Sequence, residues 1–61
     1  MIRLFRLNGA LIVLNADLIE TVESTPDTVI TLSTGKKYVV TNTLEDVIDQ
    51  IIQYKHKIFS S

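Results

Sequence analysis

Cysteine is absent from this chain of 61 residues, which excludes disulfides and thiolate metal sites and makes a reducing, cytoplasmic setting the expectation. Long apolar runs are absent too. Charged or polar residues interrupt every stretch before it reaches the roughly 18 to 20 residues of a membrane-spanning helix. Met1-Ile2-Arg3-Leu4 passes directly into a strand pattern, without the basic segment and apolar core of a signal peptide, so no secretory leader is expected. Neither charge sign is in excess. A formal net charge of −1 gives no general attraction to nucleic acid or anionic lipid.

Histidine is nearly missing as well. His56 stands alone near the end of a helical pattern and has no second histidine or cysteine with which to form a metal site or a nucleophile-base pair. Glu20 and Glu23, read on one strand, project to opposite faces and make no paired-carboxylate site. Asp46 and Asp49 share a helical face without a ligand loop. The two glycines, Gly9 and Gly35, are isolated, and Gly35-Lys36-Lys37 lacks the other features of a phosphate-binding loop. The expectation is therefore no metal, no cofactor and no enzymatic activity.

Apolar residues are what the chain has in surplus. They make up 46% of it, too many for disorder and unusually many for a soluble monomer near the lower size limit of independent folding. Asn8-Gly9 between two apolar runs is a strong hairpin signal and reads as a two-residue type I′ turn. That register places Arg3, Phe5, Leu7, Ala10, Ile12 and Leu14 on one face of the hairpin. Ile2, Leu4, Arg6, Leu11 and Val13 fall on the other. Both faces are apolar and both need cover, so self-association is expected through Ile2, Leu4, Leu11 and Val13, and through Tyr54, Ile58 and Phe59 near the helix end.

Further along, Asn15-Ala16-Asp17-Leu18 reads as an irregular turn, and residues 19–24 alternate as a weak strand. Thr25-Pro26-Asp27-Thr28 and Thr34-Gly35-Lys36 are turns around a β-branched strand. From Thr43 the apolar period lengthens to about 3.6, with Thr43 as N-cap and Leu44, Val47, Ile48, Ile51, Ile52, Lys55, Ile58 and Phe59 on one stripe. The fold class expected is α+β: a single small domain with an antiparallel four- to five-stranded meander, curled, followed by one C-terminal amphipathic helix. The strands are placed at about 2–7, 10–14, 19–24, 29–33 and 37–41, and the helix at about 44–59. Ser60 and Ser61 read as a frayed end.

Arg6-Leu7-Asn8-Gly9, Leu14-Asn15-Ala16-Asp17-Leu18-Ile19-Glu20, Thr25-Pro26-Asp27-Thr28-Val29-Ile30-Thr31-Leu32 and Gly35-Lys36-Lys37-Tyr38-Val39-Val40, with the helix after them, closely resemble the FlbD/SwrD family of small flagellar proteins. The resemblance runs through nearly the whole chain, with departures at Ala10-Leu11-Ile12 and Thr41-Asn42. It implies a cytoplasmic bacterial protein supporting the flagellar motor and swarming motility, without catalysis. The partner it implies is a motor or basal-body protein, to which this chain is recruited at the membrane without spanning it. Arg6, Asn15, Asp17, Glu20, Lys36, Lys37 and Tyr38 are the matched residues that turn geometry does not require, and so the candidate partner surface. In outline the chain also resembles the small carbon-storage RNA regulators, which makes an RNA-binding regulator the alternative. Arg3 and Arg6, of opposite strand parity, form no basic stripe for it.

Overall fold

Two hairpins of the protein turn on a glycine, and in the same way. In the computed structural model, which describes residues 1–24 and 26–60 with the side chains of 58–60 excepted, strand β1 (Ile2–Phe5) pairs antiparallel with β2 (Leu11–Leu14). The connection closes with the Arg6 N–H donating to the Ala10 carbonyl at 2.9 Å, and the Gly9 N–H donating to the Arg6 carbonyl at 2.8 Å. Strands β4 (Thr28–Leu32) and β5 (Lys37–Val40) repeat the pattern. There the Leu32 N–H meets the Lys36 carbonyl, and the Gly35 N–H meets the Leu32 carbonyl, both at 2.8 Å. Gly9 and Gly35 have φ of 87° and 91°, and no other described residue has positive φ. These are three-residue loops, a turn followed by one left-handed glycine, rather than the two-residue type I′ turn expected at Asn8-Gly9.

That single residue changes the faces of the first hairpin. The register is Ile2↔Leu14, Leu4↔Ile12, Arg3↔Val13 and Phe5↔Leu11. Directly opposed residues share a face, so Ile2, Leu4, Ile12 and Leu14 point inward, and Arg3, Phe5, Leu11 and Val13 point outward. Ile2 and Leu4, expected on an association face, are core residues at 1% and 0% exposure. Phe5, expected opposite to Leu11, stands beside it.

The meander is also interrupted. Asn15 accepts the Asp17 N–H and starts a 3-10 turn, Ala16–Leu18, so β2 does not pair with the next strand, β3 (Ile19–Ser24). The three-stranded sheet β3-β4-β5 instead meets the two-stranded one at an antiparallel bridge between Arg6 and Val40. A bulge between Ile19 and Thr21 resets the alternation of β3, which lets Ile19 and Val22 both pack on the core. The result is a curled, open α+β fold.

Helix α1 (Leu44–Ser60) packs chiefly on β1 and also on β3. Thr43 caps it as expected, its hydroxyl accepting the Asp46 N–H at 3.1 Å. Val47 is fully buried among Ile2, Leu4, Ile30 and Val40, with Ile51 and Tyr54 packed alongside. Ile48 and Ile52, expected on the same stripe, face away from the core at 44% and 59% exposure. The expected turn residue Thr25, the side chains of Ile58 and Phe59, and Ser61 lie outside the described residues.

One polar network holds the helix to the sheet. The Gln50 side-chain amide accepts the Arg3 N–H at 2.9 Å and donates to the Arg3 carbonyl at 2.8 Å, reproducing the paired bonds of a neighbouring strand. Asn42 accepts the Phe5 N–H at 2.8 Å. Asp46 receives both amides, from Asn42 at 2.7 Å and from Gln50 at 3.0 Å.

Three stability effects are expected from this packing. Ile30→Val, at a fully buried position, lowers stability by about 1 kcal/mol, while Ile52→Val changes it by less than about 0.5 kcal/mol. Gln50→Leu, which removes two hydrogen bonds to the exposed Arg3 backbone, costs about 0.5–1.5 kcal/mol. Urea unfolding midpoints at constant slope measure all three.

Candidate interaction site

The candidate partner residues separate into one cluster and several bystanders. Tyr38 lies on β5 opposite Ile30, its ring half-buried against the core. Arg6, at the base of the first loop, places its guanidinium carbon 5.2 Å from the ring centroid. Lys36, at the base of the second, places its ammonium 5.5 Å from it. Two exposed cations are therefore held over one aromatic ring, each within the range of a cation-π attraction. The Arg6↔Val40 bridge makes this possible, because it brings the end of the first hairpin beside the strand that carries Tyr38.

The other candidates sit elsewhere. Lys37 is exposed on β5 with parity opposite to Tyr38, and Glu20 is exposed at the bulge of β3. The Asn15 side chain is occupied by its 3-10 turn. Asp17 accepts a hydrogen bond from the Tyr54 hydroxyl at 3.3 Å, so these two tie the turn to the helix. Partial burial first, and then the charge and hydrogen bond of Asp17, raise the Tyr54 phenol above its ordinary value.

A second exposed feature is apolar. Phe5, Leu11 and Val13 are 47%, 56% and 50% exposed on the outer face of the first hairpin, with Leu7 exposed in the loop beyond. Phe5 belongs to this surface because of the three-residue loop. The signal for it was local, since a glycine at the third loop position after a turn implies that register, while Asn-Gly read as a pair implies the other. On the helix, Ile48 and Ile52 form a separate exposed ridge.

A shallow open groove of about 460 Å³ runs between the first loop and the start of the helix, bordered by Leu7, Thr28, Val40, Asn42, Leu44 and Glu45. Among the described residues no three His, Cys, Asp or Glu side chains are grouped to hold a metal ion. No helix among them is long and apolar enough to cross a membrane.

A family model matches residues 1–59, and its description is FlbD, flagellar and swarming motility proteins. The chain belongs to the FlbD family. Its role accordingly lies in flagellar and swarming motility. No curated protein and no solved structure matches it. Within this FlbD protein, the matched span includes both glycine loops, the cation-aromatic cluster and the apolar outer face.

The raised Tyr54 value has a measurable consequence. Because the folded state favours the protonated phenol, this contribution to stability is present below the ordinary tyrosine range and is lost as pH rises through the raised value. In a Tyr38→Phe background, Asp17→Asn shifts the phenolate absorbance titration of Tyr54 toward lower pH.

Proposed function

We propose that this FlbD protein is a non-enzymatic interaction module of the cytoplasm that self-associates and supports the flagellar motor by binding a motor or basal-body protein. The observation that carries this reading is the outer face of the first hairpin, where Phe5, Leu11 and Val13 are each about half exposed although the chain has a full core elsewhere. Exposed apolar surface of this kind marks an interface. The Arg6-Tyr38-Lys36 cluster supplies a second, cationic surface suited to an acidic segment of the motor partner.

The chemistry of the cluster suits binding through charge, since both cations are exposed and stand over one aromatic ring.

The test separates partner binding from folding. Arg6→Glu and Lys36→Glu, examined in a swarming bacterium whose own copy is deleted, abolish swarming while the purified variants keep the wild-type helical and strand circular dichroism. Full swarming by both variants removes the cluster from the mechanism. Salt-sensitive RNA binding by the purified protein, weakened by the same substitutions, replaces this reading with the RNA-regulator alternative.

A further inference from the structure

We propose that the free edge of β2 is a pairing site for the β2 strand of a second copy, in antiparallel register about Ile12. The inference rests on the self-association proposed above and assigns it to a particular strand.

The backbone pattern fixes which groups are available. In an antiparallel ladder, bonded and non-bonded pairs alternate along the strand. Arg6 and Ala10 form a bonded pair, and Arg3 and Phe5 direct their backbone groups away from β2, toward Gln50, Asn42 and the Thr41 N–H. Leu4/Ile12 and Ile2/Leu14 are then the pairs that bond within the hairpin. Leu11 and Val13 must direct their N–H and C=O groups to the opposite side, where β2 has no neighbouring strand among the described residues. Among the described residues no hydrogen bond fills those positions.

The two outer edges of the assembly differ in chemistry. The edge of β3 is bulged and carries Glu20 and Glu23, both features that discourage pairing. The edge of β2 has no bulge, proline or charge in its four residues, Leu-Ile-Val-Leu. The free edge of β1 is closed by the Gln50 amide and its neighbours. Beyond the Arg6↔Val40 bridge the edge of β5 carries Lys37, whose like charges would meet in a self-pairing, so among the described residues the edge of β2 is the one that is both open and free of charge.

That edge is complementary to itself. With a two-fold axis at Ile12, Leu11 of one copy opposes the partner's Val13, and each pair exchanges both N–H···O bonds. Every outward group of Leu11 and Val13 is satisfied in this register, whereas a shift that pairs Leu11 with its own copy would set Val13 against a loop glycine. No like charges meet, since the partner's Ala10 falls opposite Leu14. On the outer face the exposed Leu11 and Val13 side chains shield one another beside Phe5, which accounts for the surface as well as the edge.

Val13→Pro tests the pairing. It removes an N–H from the free edge and spares the hydrogen bonds between β1 and β2. Light scattering is expected to give a dimer for the wild type and a fall to the 6.9 kDa monomer for Val13→Pro, with circular dichroism unchanged. A second variant guards against misfolding. The chain has no cysteine, and a non-bonded antiparallel pair holds Cα atoms about 4.5 Å apart, within disulfide range. Ile12→Cys is therefore expected to form a covalent dimer on oxidation, and Ile48→Cys is not. A dimer that persists in Val13→Pro, with no Ile12→Cys cross-link, overturns the edge pairing while keeping self-association. A wild-type monomer at every concentration overturns both and leaves the edge to a strand of another protein.

Discussion

Everything in this small protein is arranged around β1, whose backbone pairs with a strand on one edge and is met by side chains on the other. On one side it pairs with β2. On the other, Arg3 is met by the Gln50 amide and Phe5 by Asn42 and Thr41. A strand needs its N–H and C=O groups satisfied wherever it is removed from water, and here a helix side chain stands in for the missing neighbour. Because Gln50 and Asn42 are themselves oriented by Asp46, the helix start, the last sheet segment and β1 are fixed relative to one another by one connected set of bonds. The inner faces of β1 and β2 then meet Val47, and the core closes over Ile30 and Val40.

The loop that joins β1 to β2 decides what the protein presents outward. With three residues between Arg6 and Ala10, Phe5 comes to lie beside Leu11, and Ile2 and Leu4 turn inward. A loop shorter by one residue would exchange the faces of one strand relative to the other. The same geometry at Gly35 sets Lys36 at the base of the second hairpin, from which it reaches Tyr38. Both of the surfaces proposed for interaction are thus consequences of left-handed glycines, which carry no side chain of their own.

The two surfaces differ in what they suit. Apolar residues on the outer hairpin face lie next to an uncovered strand edge, a combination that favours a partner able to extend the sheet. The cation-aromatic cluster is polar, exposed and built from residues far apart in sequence, and it suits an acidic partner through charge. Membership of the FlbD family places the chain in the setting of flagellar and swarming motility.

Sequence by itself determined the elements. Alternation marked the strands, the change of period at Thr43 marked the helix and its cap, and the glycines marked the turns. Each of those depends on the properties of a few adjacent residues. Sequence also singled out Arg6, Lys36 and Tyr38, but only as members of a longer set. Only the tertiary structure decided that these three converge, that Ile48 and Ile52 turn outward, and that the β1 side of the first hairpin rather than β2 meets the three-stranded sheet. The reason is that such facts follow from long-range pairing. The Arg6↔Val40 bridge and the Gln50 bonds to Arg3 join segments that no local pattern relates, and the register of the first hairpin turned on one residue of loop length that Asn8-Gly9 left open.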